Sequence, residues 1–182
     1  MNNDEEYLLG AMGDAYLDVK RNELQVYQDN VEWLNEINEI LYRLFGFRGR
    51  IFKRDVFWLR KRDKKMAQRI ISLQSQELTD GKSFVAGLFD SEGSVYSATN
   101  GSTIVLDITQ SEKGLKQLIK AKDAIERVGI KPYINGPYVN KHGKLLQYHL
   151  RIYGRENSKK FLEEIPIKHC AKKRKLIFLI GR

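Results

Sequence analysis

Apolar residues recur three and four apart at Val31, Leu34, Ile37, Leu41 and Leu44, with Asn38 in the same stripe. This predicts a helix that starts at a cap on Asp29 or Asn30, runs to about Phe45 and is stopped by Gly46. The chain on either side alternates instead. Over Tyr16–Tyr27, Leu17, Val19, Leu24 and Val26 form one face. Tyr16, Asp18, Lys20, Glu23, Gln25 and Tyr27 form the other, and Arg21-Asn22 marks the turn of a hairpin. Phe47–Lys61 gives two more strands. Arg48, Arg50 and Arg54 share a parity in the first of them, and Trp58 and Arg60 in the second, opposite Phe57 and Leu59. Asp63–Leu73 reads as a helix with Met66, Ile70 and Leu73 inward. A polar segment, Gln74–Lys82, then joins this half to the next.

The plan is given again downstream. A hairpin over 93–110 turns at Asn100-Gly101, a strong turn signal. Ile104, Leu106 and Ile108 alternate there with Thr103, Val105, Asp107 and Thr109. Glu112–Val128 is a helix ended by Gly129. A second hairpin turns at Lys141-His142-Gly143, and Gln147, His149 and Arg151 alternate with Tyr148, Leu150 and Ile152. Glu156–Glu164 is helical and stops before Pro166; Ala171–Ile180 is a last helix with a basic first turn of Lys172, Lys173, Arg174 and Lys175. The fold class is therefore α+β: a duplicated αββαββα unit with pseudo-twofold symmetry and two four-stranded antiparallel sheets forming a saddle. The half-domains are 1–78 and 79–182. An internal repeat of about 80 residues is far harder to reach by chance than any single element.

Each half opens on an unusual helix. Phe84–Val95 begins as an apolar helix with Ser83 as its cap, then accepts Gly87 in its interior at about 1 kcal/mol relative to Ala. Asp90 and Glu92 stand at its C-terminus, the negative end of the helix dipole. Ala86 with Asp90, and Gly87 with Ser91, are small residues four apart that allow a second helix to approach closely. A carboxylate at the foot of such a pair is well placed to hold a divalent metal. The plain alternative is an amphipathic core helix with a capping glycine and a solvated acid. The first helix starts at Asn2–Glu6, with Asp4 as a candidate cap and Glu5 and Glu6 as a solvated, dipole-complementing first turn.

Val85–Gly93 reads V-A-G-L-F-D-S-E-G and resembles the LAGLIDADG motif of homing endonucleases, matching at Ala86, Gly87, Leu88, Asp90 and Gly93. Tyr7–Ala15 reads Y-L-L-G-A-M-G-D-A, a weaker copy. Aligned on the acid, Asp14 falls where Glu92 falls, while Gly10 stands one place later than the family glycine and Ala15 replaces the last one. In the resembled family the acid before the last motif position binds the catalytic metal, so the resemblance implies Asp14 and Glu92 as metal ligands and catalytic groups. It further implies catalytic roles for Gln28 and Gln110 at the ends of the second strands, and for Arg60 and Arg151 late in the fourth strands. Gln28 and Gln110 also read simply as helix-entry residues, and Arg60 as a phosphate contact. The implied cofactor is Mg²⁺, with Mn²⁺ as a substitute.

The polar strand faces supply a candidate duplex-DNA surface. Arg and Lys suit phosphates and guanine; Gln and Asn suit adenine. The candidates are Tyr16, Asp18, Lys20, Gln25, Tyr27, Arg48, Arg50, Arg54 and Trp58 in the first half. Thr103, Asp107, Thr109, Gln147 and His149 are those of the second. The bland reading is a solvated strand face. A formal charge of +9 and a pI near 9.5 also point to a polyanion, though charge alone is a weak signal.

Among the 182 residues the single cysteine, Cys170, excludes an internal disulfide and a cysteine-based zinc site. The histidines (His142, His149, His169) lack ligand spacing. No apolar run of membrane-spanning length and no signal segment is present, so the expectation is a soluble intracellular protein with no membrane partner, in a prokaryotic cytoplasm or an organelle. The resemblance implies a monomeric, single-chain, intron-type enzyme that hydrolyses both strands of double-stranded DNA at a long, nearly asymmetric target. Its rivals are an RNA maturase of the same fold acting on intron RNA, and a DNA-binding regulator without catalysis.

Overall fold

The computed structural model describes residues 1–98, 101, 103–139, 143 and 146–182, with Asp14 described in its backbone alone. Of the expected turns at Asn100-Gly101 and Lys141-His142-Gly143, residues Asn100, Lys141 and His142 lie outside those described, while Gly101 and Gly143 each have a positive φ of 70°. The elements run α1 (Asn3–Ala11), a 3-10 turn (Met12–Asp14), β1 (Ala15–Asp18), β2 (Glu23–Gln28), α2 (Val31–Phe45), β3 (Arg50–Lys53), β4 (Phe57–Arg62) and α3 (Lys64–Leu73). The second half follows with α4 (Lys82–Glu92), β5 (Gly93–Ser97), β6 (Ile104–Ser111), α5 (Leu115–Arg127), β7 (Tyr133–Val139), β8 (Leu146–Tyr153), α6 (Arg155–Glu164) and α7 (Cys170–Gly181).

Local chemistry sets the ends of these elements. The Asn30 side chain accepts from the Trp33 amide at 2.8 Å and caps α2, which ends on Gly46 in the left-handed conformation. Asp63 caps α3 in the same way. In the first hairpin Asn22 adopts a positive φ of 54°, which Asn tolerates best among residues with a Cβ, and the Asp18 carboxylate accepts from the Arg21 amide. Asn2, rather than Asp4, caps α1, in a reciprocal box with Glu5.

The two sheets are antiparallel and share one topology, in the orders β1-β2-β4-β3 and β5-β6-β8-β7. Their registers also correspond. Ala15 pairs with Val26 as Gly93 pairs with Ile108, and Val26 pairs with Leu59 as Ile108 pairs with Leu150. One face of each sheet is sealed by helices: Leu24, Val26 and Leu59 in the first, and Leu106, Ile108, Leu150 and Ile152 in the second, are buried with Trp33, Ile37, Leu118 and Ile125 beneath them. The opposite faces carry the polar side chains. No helix among the described residues is long and apolar enough to cross a membrane.

Helices α1 and α4 join the halves. Gly10 and Gly87 face each other: a methyl on Gly10 would overlap the Phe84 carbonyl, and one on Gly87 the Tyr7 carbonyl. Phe84 precedes Gly87 by three residues and Tyr7 precedes Gly10 by three, so the contact is symmetric about the crossing.

That symmetry accounts for the misplaced glycine of the first motif. From Gly87 to Glu92 is five α-helical steps, or about 7.5 Å of rise at about 1.5 Å each. From Gly10 to Asp14 there are only four, but three of them run through the 3-10 turn, which rises about 2.0 Å per residue, so the span is again about 7.5 Å. Asp14 and Glu92 each end a helical segment directly before the first strand of its sheet.

Two acids read from sequence as solvated are buried. Glu6 is fully buried; its carboxylate accepts from the Thr79 and Gly81 amides and so fixes the turn into α4, whose N-cap is Gly81 rather than Ser83. Glu5 pairs with Arg69 of α3 at 2.5 Å. Burial works to raise the Glu5 pKa, but the Asn2 amide and the Arg69 guanidinium outweigh it and leave it lowered.

Candidate active site and nucleic-acid interface

Glu92 is the last residue of α4 and is half-buried. Its side chain crosses to the foot of the other helix. A Cβ on Gly13 would come within 2.6 Å of the Glu92 Cγ and Oε1, so a residue without a side chain is what makes room for this carboxylate beside Asp14. Burial pushes the Glu92 pKa up, while the Gln110 amide and the Lys172 ammonium pull it back. Gln110 Nε2 has no full hydrogen bond of its own, so the amide stands just outside bonding geometry.

Lys172 comes from the first turn of α7. Its Nζ donates to the carbonyl oxygens of Phe89, Asp90 and Ser91 at 3.0, 2.7 and 3.1 Å. These belong to the exposed acceptors that every helix leaves at its C-terminus. The sequence marked Lys172 only as one of four basic residues, and a partner some eighty residues away leaves no local signal. It relieves the cost expected for a helix that ends in two acids.

Asp90 makes a second tie. It is fully buried, and its Oδ2 accepts from the Tyr7 hydroxyl at 2.5 Å and from the Lys168 and His169 amides at 2.7 and 3.1 Å. Burial pushes its pKa up to about 6 against the pull of those donors. Tyr7 Oη accepts from Trp33 Nε1 at 2.8 Å, and the His169 ring stacks on Trp33. The entry to α7 is thereby fastened to the first half.

Of the other expected catalytic groups, Gln28 and Gln110 hold equivalent places, paired with Phe57 and Tyr148. Gln28 Oε1 accepts from the Asp29 amide, whereas Gln110 reaches Glu92. Arg60 and Arg151 are also equivalent, opposite Gln25 and Asp107. The structure does not bring either to Glu92. Each guanidinium is held within its own sheet by a buried carboxylate: Arg60 by Glu23 and Arg151 by Asp107.

The polar faces hold most of the expected nucleic-acid residues, in differing states. Tyr16 is exposed on β1. Lys20 is exposed in the turn, and Asp18 is engaged there as described. Gln25 donates to Glu23, and Tyr27 donates to Gln25 and meets the Trp58 ring edge-on. Arg54 lies over the rings of Trp58 and Phe52, with Arg50 beside Phe52. An open cleft of about 490 Å³ is lined there by Arg50, Lys53, Arg54, Arg60, Lys61 and Arg62. In the second half His149 Nδ1 lies 2.9 Å from Asp107 and 3.1 Å from Thr109 Oγ1. Gln147 is on the same face of β8, and Thr103 precedes β6. Asp107 is buried beneath Tyr96, His149 and Arg151, so it presents no acceptor to a partner. Arg48 is a correction: it precedes β3 and turns to the helix side, where Glu39 of α2 binds it at 2.7 Å and Tyr42 lies beneath it.

Among the described residues no three His, Cys, Asp or Glu side chains converge on one point. The foot of the helix pair still suits a cation held by few carboxylates. Mg²⁺ takes one or two of them and fills its remaining positions with water and phosphate oxygens. The glycine-made space that receives the Glu92 carboxylate fits such a group.

Comparisons with known proteins agree with this geometry. Residues 82–166 match the LAGLIDADG-like domain family. The homing endonuclease I-ApeI of Aeropyrum pernix is 24% identical over 201 residues, covering 97% of this chain and 86% of that protein. Mesophilic variants of the homing endonuclease I-DmoI align with a TM-score of 0.66 and 19% identity, over 93% of this chain and 97% of theirs. I-DmoI in complex with DNA and Ca aligns with a TM-score of 0.65 and 20% identity, over 90% and 88%.

Proposed function

We propose that this chain is a member of the LAGLIDADG family, a homing endonuclease that cuts both strands of double-stranded DNA at one long, nearly asymmetric site. The observation that carries this reading is the placement of Glu92, carried by a glycine-packed helix pair to the foot of the partner helix, between two sheets with open polar faces. Relatives with this fold have been seen with DNA and with Ca, Mn or Mg.

In this reading one acid from each helix, Asp14 and Glu92, holds a divalent cation, Mg²⁺ with Mn²⁺ as a substitute. When bound, the cation stabilises charge on the phosphate and eases deprotonation of water. The chain supplies the rest. Gln28 and Gln110 orient water at the ends of the second strands. Lys172 fixes the end of α4, so that Glu92 is held in one geometry, and its charge opposes the rise that burial imposes on the Glu92 pKa. The two polar faces grip the duplex on either side. Two unequal halves match a target without symmetry, and the protein acts as a monomer.

Purified protein incubated with a randomised-site plasmid library tests the proposal. Metal-dependent linear product with one enriched long site is the expected result, and EDTA abolishes it. Absence of any cut product in Mg²⁺ and in Mn²⁺ would refute it.

A further inference from the structure

Glu23 and Asp107 are buried acids on the two faces offered to a polyanion, each 5% exposed. A free carboxylate there would repel phosphate, so their value lies in what they hold. Asp107 Oδ2 accepts from Arg151 Nε at 2.9 Å. Glu23 Oε1 accepts from Arg60 Nε at 3.0 Å and from Nη2 at 2.5 Å. His149 packs at 3.4 Å on the Arg151 Nη2, and Gln25 and Arg62 complete the shell around Glu23.

A guanidinium has five N–H donors in a rigid plane. Anchoring the Nε edge fixes that plane and leaves terminal donors for a partner. The Arg151 and Arg60 side chains remain 25% and 34% exposed, enough for those donors to reach outward. A phosphate also accepts an arginine fork, but it can be held by an unaligned point charge and so does not require this anchoring. A planar fork held in one orientation suits a planar two-acceptor target, and among base edges in the major groove that target is guanine O6 and N7. The two arginines also occupy equivalent registers, opposite Gln25 and Asp107.

We propose that Arg60 and Arg151, held by Glu23 and Asp107, are base-reading residues that each specify a guanine, at corresponding positions in the two half-sites of the DNA target. This rests on the endonuclease reading and gives it a sequence requirement. Glu23 and Asp107 are positioning residues that never touch the DNA.

The test uses the full chain and the site recovered from the randomised library. Base panels at each position are then cleaved by the wild type and by Arg151→Lys, Arg151→Gln, Arg60→Gln and Asp107→Asn. The wild type is expected to prefer guanine about 5- to 150-fold at two corresponding positions, the range for one good bidentate contact. Arg151→Lys keeps the charge but loses the fork, so preference at one position falls to near unity. Arg151→Gln moves that preference towards adenine, and Arg60→Gln does the same in the other half-site. Asp107→Asn weakens discrimination at the Arg151 position alone. A cleaved site without guanines at corresponding positions would overturn this inference and leave the endonuclease reading intact. So would an Arg151→Lys enzyme with unaltered preference, or an Arg151→Gln enzyme slowed evenly on every base, since both mark a phosphate contact. A wild type that selects no site overturns both readings.

Discussion

Gly10 and Gly87 each lie against the backbone of the opposite helix where α1 crosses α4, each beneath the carbonyl of the residue three before the other. Neither helix can shift without moving an acid at its foot. Gly87→Ala forces a methyl against backbone rather than against a yielding side chain, and overpacking of that kind costs about 1–3 kcal/mol. Thermal unfolding should show the midpoint of either alanine variant lowered by roughly 2–10 °C. An unchanged midpoint would mean that the helices do not meet at these residues.

Glu92→Gln removes a charge while keeping the shape of the side chain. Double-strand cleavage should disappear, with DNA binding changed by less than about threefold, since the polar sheet faces are untouched. Gel-shift and plasmid-cleavage assays on one preparation separate the two. A parallel loss of binding would move Glu92 from the chemistry to the scaffold.

Lys172→Met strips the ammonium from the carbonyl oxygens of Phe89, Asp90 and Ser91. Unserved acceptors cost about 1–3 kcal/mol. Cleavage of the strand served by Glu92 should slow more than cleavage of the other, so nicked circles accumulate, and Lys172→Arg should restore part of the rate. Equal slowing on both strands would leave Lys172 a stabilising role alone.

His169 supplies the pH dependence. Burial, and then the nearby Lys172 charge, push its pKa down to about 4 from an ordinary 6.5. The folded chain therefore resists a proton that the unfolded chain accepts. The contribution is fully present above about pH 6.5 and is lost as the pH falls towards 4, up to about 1–3 kcal/mol. His169→Asn keeps an acceptor at the start of α7 and should flatten the loss in denaturant titrations across that range. A variant with the same slope as the wild type would place the titration elsewhere.

Arg50 and Arg54 lie over the rings of Phe52 and Trp58 and, unlike Arg60, are held by no acid among the described residues. Replacing either with alanine should weaken DNA binding on every sequence and shrink its salt dependence by about one released counterion. Sequence-selective weakening would mark a base contact instead.

The strand parities and the periodicity of α2 were readable because each residue there answers to a single face. The entry to α2 was readable for a related reason, since Asn30 bonds within one turn of itself, whereas the caps expected at Asp4 and Ser83 gave way to Asn2 and Gly81. What stayed hidden depends on distant partners. Glu5 and Glu6 look like ordinary first-turn acids until Arg69 and the 79–81 segment fold over them. Arg48 has the parity of Arg50, yet it precedes the strand and answers to Glu39. The shift of Gly10 reads as a defect in the motif, because a 3-10 turn has no sequence signature that separates it from an α-helical end.

The clasp at Asp90 bears on how such a chain could be recombined. Trp33 and Tyr7 belong to the first half, while Asp90 and the 168–170 segment belong to the second. A chimera built by cutting in the 74–82 linker would separate Tyr7 from Asp90 and leave a buried carboxylate without its hydroxyl. Grafting either half onto a foreign partner therefore means transplanting Tyr7 and Trp33, or redesigning position 90, as part of the exchanged unit.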